Sequence, residues 1–224
     1  MSKQYFDISY YEFFLELALN NQKSWFDENR KRYENEVKQP FIDFISDLLL
    51  NMSEFDKGYQ ELTAKDCLFR INKDIRFSKD KSPYKLHCSA SLHIGGRKKM
   101  WPGGMYIELG AESCGIYSGV YMPEKEDLLK FRNNISNNLL DFESAIHEPN
   151  FIKYFGEVLG TKNKIIDSSL KEAAAKQPLI FNKQFYVAHS FEPEKSFESG
   201  FVEYIIDVWR SAATFNNVLV GNIN

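Results

Sequence analysis

Cysteine is scarce in this chain, and the few that occur exclude two classes of small structural site. Only Cys67, Cys88 and Cys114 are present, an odd number without CxxC spacing. A disulfide framework needs paired cysteines, and a zinc ribbon needs closely spaced pairs of them. The sequence therefore predicts a protein of the reducing cytoplasm without a structural metal site.

Long apolar runs are also lacking. No segment approaches the roughly 18 consecutive apolar residues of a membrane span. The N-terminal stretch MSKQYFDISYYEFF contains no apolar core of the kind that a secretory signal peptide requires. These features predict a chain without a signal peptide and without a membrane partner.

The signature motifs of several enzyme classes are missing as well. The chain contains no Walker A, G-x-G-x-x-G, G-x-S-x-G or H-E-x-x-H sequence. No cofactor is indicated. The formal net charge of −3 and the pI of about 5.9 do not suggest a general nucleic-acid binder.

What the chain does contain is a succession of helical, then strand-like, then helical patterns. Apolar residues have helical spacing over 1–60 and over 123–224, whereas most of 61–122 has the alternation of strands. This order is typical of an α+β fold. We predict a single α+β domain over 1–224, with an antiparallel sheet of four or more strands flanked by N-terminal and C-terminal helices.

Capping residues and turn residues predict where the elements begin and end. Ser9 and Glu12 fit a capping box at the start of the first helix, and Pro40 fits the first turn of the third. The other predicted elements are helices over 24–37, from 123 and over 198–220, and strands over 66–71, 87–94, 104–109, 114–121 and 182–189.

The most unusual stretch is RINKDIRFSKDKSPYKLH at residues 70–87, termed the basic motif. It carries six basic and two acidic residues, a net charge of +4 in a chain whose formal charge is −3. Guanidinium and ammonium groups are the natural partners of phosphate and carboxylate. The basic motif is therefore the first place to look for a functional site.

The basic motif also carries a resemblance. The run R-x-x-K-D-x-R-F-x-x-D-K-x-x-Y at 70–84 resembles the pattern R-x-x-R-D-x-R-F-x-x-D/N-K-x-x-Y of the DUF2461 family of conserved hypothetical proteins. The segments N-N-x-x-x-W-F-x-x-N-R-x-x-Y at 20–33 and G-V-Y-x-P at 119–123 are similar to two further blocks of that family. The chain departs at Lys73, where the family has arginine, and it lacks a Pro-Lys-Gly expected in the C-terminal third. The family is uncharacterised, so the resemblance implies a fold and a site location but no activity.

Three functional hypotheses for the basic motif stay open. In the first, the protein binds a phosphate-bearing or other anionic small molecule. The ligand-binding residues would be Arg70, Lys73, Arg76, Asp80, Lys81 and Tyr84. In the second, it is an enzyme acting on a phosphorylated or nucleotide-like substrate, with Asp74 or His87 as the proton carrier.

In the third hypothesis the motif only supports the fold of a structural or interaction protein. Arg70 and Arg76 would then form salt bridges with Asp74 and Asp80. Nucleic acid is disfavoured as a partner but stays open at this one motif, and the sequence does not indicate an oligomeric state.

A pair of histidines and a set of carboxylates in or near the basic motif are candidates for a metal site. His87 and His93 share a strand face, but six residues at about 3.3 Å separate them by about 20 Å, whereas metal–nitrogen bonds are about 2 Å long. Glu108 would join Asp74 and Asp80 as a carboxylate set only if it faced the basic motif. The favoured interpretation of Glu108 is an exposed residue on a half-buried strand, and no metal site is predicted.

Overall fold

The computed structural model describes residues 3–96 and 102–222 of the chain, which include one antiparallel sheet. Its strands follow the order β1-β2-β3-β4. They are β1 His87–Leu92, β2 Met105–Gly110, β3 Cys114–Val120 and β4 Phe185–Ser190. Helices precede β1 and follow β3 and β4 along the chain, so the predicted α+β class with an antiparallel sheet of four strands is confirmed.

Helices occupy most of the remaining chain. Before β1 they are α1 Ile8–Leu19, α2 Lys23–Glu28, α3 Arg30–Arg32, a π-helix Tyr33–Lys38, α4 Gln39–Ser53 and α5 Ala64–Cys67. Between β3 and β4 they are α6 Lys125–Asn137, α7 Leu139–Ile146, α8 Pro149–Phe155 and α9 Lys171–Lys176. After β4 they are α10 Phe201–Arg210 and α11 Ala213–Val220. None of the helices in the described part of the chain has the length and apolar character needed to cross a membrane.

The described residues divide into two compact units. The first comprises the described residues of 1–99 together with 106–116 and 190–206. The second comprises those of 100–105, 117–189 and 207–224. The single domain expected over 1–224 stays a prediction.

Aromatic side chains build the core of the first unit. Phe44 lies between Phe6 and Phe201, with ring centroids 5.3 and 5.0 Å away. The buried Tyr10 hydroxyl donates to the carbonyl of Leu109 at 3.1 Å. Aromatic rings supply large apolar areas, and a buried hydroxyl needs a partner. These contacts fix α1 against β2.

The second unit combines an aromatic core with buried polar anchors. Phe215 contacts Phe151 and Phe142. The buried Arg132 guanidinium donates to the carbonyl of Asn182 at 2.9 Å, and the Asn216 amide donates to the Ser118 hydroxyl at 3.0 Å. Polar groups buried in this way need such partners.

Two predicted element starts are wrong because another acceptor is better placed. The first helix begins at Ile8, since the Asp7 carboxylate accepts the N–H of Ser9 at 2.9 Å and caps the helix two residues before the predicted cap at Ser9. The strand expected at 66–71 begins instead as α5. Thr63 and Asp66 form the capping box of that short helix, in which the Thr63 N–H donates to Asp66 at 2.9 Å.

Two predicted helices are divided. The helix expected over 24–37 is interrupted at Asn29, whose side-chain amide donates to the carbonyl of Trp25 at 3.0 Å. The helix expected over 198–220 is interrupted after Arg210, where the Ser211 hydroxyl donates to the carbonyl of Asp207 at 2.8 Å. Short polar side chains compete in this way for helical carbonyl groups.

Candidate functional site

The basic motif forms a loop that is closed near its two ends. Asn72 and Tyr84 form an antiparallel bridge, and the N–H of Lys73 donates to the carbonyl of Pro83 at 2.9 Å. These backbone bonds divide the motif into two regions. Residues 74–82 are termed the tip. Residues 70–73 and 83–87, which lie at the closed end of the loop next to β1, are termed the base.

Tyr84 anchors the base to the N-terminal helices. Its ring stacks on Phe26 with centroids 4.1 Å apart. The side chain of Asn21 pairs with both backbone groups of Tyr84, at 3.1 Å to its N–H and 3.0 Å to its carbonyl. The side chain of Tyr84 is buried, so the ring predicted to contact a ligand is packed against the protein.

In the tip, Arg76 and Asp74 form a two-pronged ion pair. Arg76 Nε lies 2.9 Å from Asp74 Oδ1, and Nη2 lies 2.6 Å from Oδ2. The Arg76 side chain is 76% exposed. Hydrogen bonds from Arg76 hold the pKa of Asp74 below its usual value. A carboxylate with a lowered pKa is a weak base, which favours His87 over Asp74 as a proton carrier.

A second ion pair joins the tip to the closed end of the loop. Lys73 Nζ lies 2.9 Å from Asp80 Oδ2 and 3.0 Å from the Ser82 hydroxyl. Hydrogen bonds from Ser82, and then from Lys73, lower the pKa of Asp80. The Lys81 ammonium donates to the carbonyl of Ile75 at 3.0 Å. Asp80 is thus paired with Lys73, and not with Arg70 or Arg76 as the scaffold hypothesis predicted.

At the base, His87 faces a carboxylate that the protein holds in place. His87 Nε2 lies 3.8 Å from Glu108 Oε2, and the two side chains are 27% and 15% exposed. The Tyr106 hydroxyl donates to Glu108 Oε2 at 3.2 Å, and the Ser113 hydroxyl donates to Oε1 at 3.1 Å. With a donor on each oxygen, the Glu108 carboxylate has a fixed orientation towards the imidazole.

The expectation of an exposed Glu108 is therefore wrong. The residue faces the side of the sheet that carries His87, because Tyr106 and Glu108 alternate with the buried residues of β2. Ser113, in the turn between β2 and β3, supplies one of the two donors. The alternation was visible in the sequence, but the pairing of β2 beside β1 was not.

Opposing influences act on the proton affinity of His87. Burial lowers its pKa, and the positive charges of Lys85 and Lys73 lower it further. The negative charge of Glu108 acts in the opposite direction. The net result is a lowered pKa, so the imidazole is neutral and able to accept a proton near neutral pH.

Two basic residues at the base have no acidic partner. Within residues 3–96 and 102–222, neither Arg70 nor Lys85 has a carboxylate oxygen within the 4.0 Å that defines an ion pair. Lys85 is half-buried, and its ammonium lies 5.3 Å from the centroid of the Phe69 ring. Burial lowers the pKa of Lys85, and repulsion from Arg70 adds to this effect. Lys85 was counted among the basic residues of the motif but was not one of the six predicted ligand-binding residues, although it directly follows the anchor Tyr84.

The acidic residues of this region do not converge as metal ligands. Asp74 and Asp80 are held in ion pairs with Arg76 and Lys73, and Glu108 accepts bonds from Tyr106 and Ser113. Across the described ranges, no three histidine, cysteine, aspartate or glutamate side chains are grouped as a metal site requires.

Comparison with known proteins supports the resemblance carried by the motif. The family described as Conserved hypothetical protein (DUF2461) matches residues 9–217, a range that includes the tip, the base and Glu108. No curated protein and no solved structure matches the chain. Because the match covers nearly the whole length, the chain belongs to the DUF2461 family of conserved hypothetical proteins.

Proposed function

We propose that the protein binds a phosphate-bearing or other anionic small molecule at the base of the basic motif. The observation that carries this proposal is the pair of cations Arg70 and Lys85, which repel each other and lack an acidic partner among the described residues. A half-buried ammonium beside a second positive charge is unfavourable in the empty protein. An anion bound to both groups would offset that cost.

The chemistry of the two side chains suits a tetrahedral or planar anion. The guanidinium of Arg70 offers a planar fork for two oxygens, and the ammonium of Lys85 offers a compact charge with three donors. Charge-assisted hydrogen bonds of this kind are stronger than neutral ones, particularly where water is partly excluded.

A scaffold role accounts for the tip better than for the base. In the Arg76–Asp74 pair and in the Lys73–Asp80 pair, the positive charge is neutralised by the negative charge of its partner within the loop. Arg70 and Lys85 take part in neither pair. The structural alternative therefore leaves the base unexplained.

A second candidate function is acid–base catalysis on the bound anion. It is favoured by the oriented Glu108 carboxylate beside His87, 3.8 Å away. His87 would transfer a proton at Nε2, with Glu108 stabilising the protonated imidazole. Turnover of a bound anion that is lost in His87→Gln and retained in Asp74→Asn would distinguish this enzyme from a binding protein.

We further infer that the protein acts in the reducing cytoplasm. Cys67, Cys88 and Cys114 are all buried, and Cys88 and Cys114 carry free thiols. Buried thiols without disulfide partners are usual in that compartment.

Binding of inorganic phosphate and pyrophosphate, measured by isothermal titration calorimetry, tests the proposed anion site. We expect Lys85→Gln to weaken binding about tenfold, the effect of losing one charge-assisted hydrogen bond. Lys79→Gln removes the same charge from the exposed tip and is the matched control, with an affinity within about twofold of wild type. Equal losses in both variants, or no binding of either anion to the folded wild type, would contradict the proposal.

A further inference from the structure

A cavity of about 250 Å³ lies next to Arg70 in the first unit. Its lining includes three aromatic side chains from different segments: Tyr33 of the π-helix, Phe41 of α4, and Phe69. A cavity with aromatic walls offers an apolar ring both van der Waals contact and edge-to-face geometry.

The basic residues that line this cavity are Lys38, Lys65 and Arg70, and none of the described lining residues is acidic. Lys38 is balanced by Glu34, whose carboxylate oxygens lie 3.0 and 2.7 Å from its ammonium. Arg70 is in no ion pair among the described residues. The combination of aromatic walls with an unbalanced guanidinium fits a ligand with a ring and a negative charge.

The cavity adjoins the base of the basic motif. Arg70 belongs to both, and Phe69 lines the cavity while its ring centroid lies 5.3 Å from the Lys85 ammonium. A molecule whose ring occupies the cavity would therefore have its substituent close to the two cations of the proposed anion site.

The π-helix Tyr33–Lys38 is an independent indication of function. It supplies both an aromatic wall, Tyr33, and a basic residue, Lys38, to the cavity. Well under 1% of residues in globular proteins are in π-helices. Such segments occur frequently at functional sites, and this one separates α3 from α4 at the cavity.

We propose that the ligand is a monocyclic aromatic anion. Its ring would lie between Tyr33, Phe41 and Phe69, and its phosphate or carboxylate would bind Arg70 and Lys85. The size agrees, because an apolar cavity of about 150 Å³ is enough to hold benzene. This inference rests on the proposed anion site and adds the class of ligand to it.

The test compares phenyl phosphate with inorganic phosphate by calorimetry. In the wild type, phenyl phosphate should bind at least about tenfold more tightly, since the ring buries apolar surface that inorganic phosphate lacks. Ile42→Trp places a large side chain in the lining and should abolish this advantage while leaving the affinity for inorganic phosphate unchanged. Leu50→Trp, on the exposed face of the same helix, is the matched control and should retain the advantage.

A second measurement does not depend on the folding of a variant. In the wild type, nuclear Overhauser effects should connect the phenyl protons with the side chains of Phe41 and Phe69. Contacts with other residues only, or equal affinities for the two phosphates, would overturn the ring site and leave the anion site standing. Absence of binding for both phosphates would overturn the two proposals together. A weakening of about tenfold for both phosphates in Lys85→Gln, together with the ring contacts in the wild type, would support both.

Discussion

The tip and the base of the basic motif belong to the same short stretch of sequence but differ in their electrostatics. In the tip, Arg76 is mostly exposed, and its guanidinium forms two parallel hydrogen bonds with the carboxylate of Asp74. At the base, Lys85 is half-buried, stands beside Arg70 and has no ion-pair partner in the described chain. Both regions contain cations without a carboxylate partner among the described residues, but Lys79 and Lys81 in the tip are exposed to water, whereas Lys85 at the base is half-buried.

This difference shows that the number of basic residues does not locate an anion site. An exposed ion pair in water contributes little to stability and presents little net charge to a ligand. A cation held at a partly buried position without a partner gains more from binding an anion. Burial and pairing together, rather than charge density along the sequence, distinguish the base from the tip.

The largest expected difference between the two regions is the effect on stability of removing one aromatic ring from each. Tyr84→Ala removes the ring stacked on Phe26 and should lower the free energy of unfolding by about 3 kcal/mol. Phe77, which is 96% exposed in the tip, should change it by no more than about 0.5 kcal/mol when replaced by alanine. Urea denaturation of the two variants beside the wild type measures both values.

Each aromatic variant also serves as the control for the other, since both remove one ring from the same loop. Similar losses in Tyr84→Ala and Phe77→Ala would mean that the tip packs against the protein as the base does. That result would remove the distinction on which the anion site depends.

Much of the fold follows from the sequence because it depends on local periodicity. The alternation over the segments that form β1, β2 and β3 predicted the antiparallel sheet. The errors occurred where two local signals competed. Asp7 rather than Ser9 caps α1, and the polar side chains of Asn29 and Ser211 interrupt predicted helices.

The site was only partly predictable because its decisive features are non-local. The sequence identified Arg70 and His87 by their place in the motif, but Glu108 reaches His87 only through the pairing of neighbouring strands. The burial of Tyr84 against Phe26 joins residues far apart in the chain. No pattern within the motif indicated that Asp80 would pair with Lys73 instead of an arginine.

A smaller effect is expected on the pKa of His87. Glu108→Gln removes the charge that favours the protonated imidazole, so the pKa of His87 should fall further. Lys85→Gln removes a repelling charge, so the pKa should rise. Titration of the imidazole signals by NMR distinguishes the two directions, and Lys79→Gln in the tip should leave the pKa unchanged.

These shifts also determine how stability depends on pH. Because the pKa of His87 is lowered in the folded state, the unfolded chain binds more protons below its ordinary value of about 6.5. The contribution of His87 to the free energy of unfolding is therefore complete above about pH 6.5 and decreases as the pH falls. The decrease should be larger in Glu108→Gln and smaller in Lys85→Gln. Identical pH profiles for the two variants would contradict the placement of His87 between these charges.

The smallest effect is expected for Arg76→Ala, although Arg76 lies in the middle of the basic motif. Its ion pair with Asp74 is exposed to water and confined to the tip, so the midpoint of urea unfolding should match that of the wild type. Its affinity for inorganic phosphate should also stay within about twofold of the wild-type value, because the change in charge lies in the exposed tip, where water and salt screen it from the base. A folded Arg76→Ala protein that no longer binds phosphate would move the anion site from the base to the tip. A protein that unfolds on this substitution would instead support the scaffold alternative. The Arg76–Asp74 ion pair would then be needed to hold the fold together.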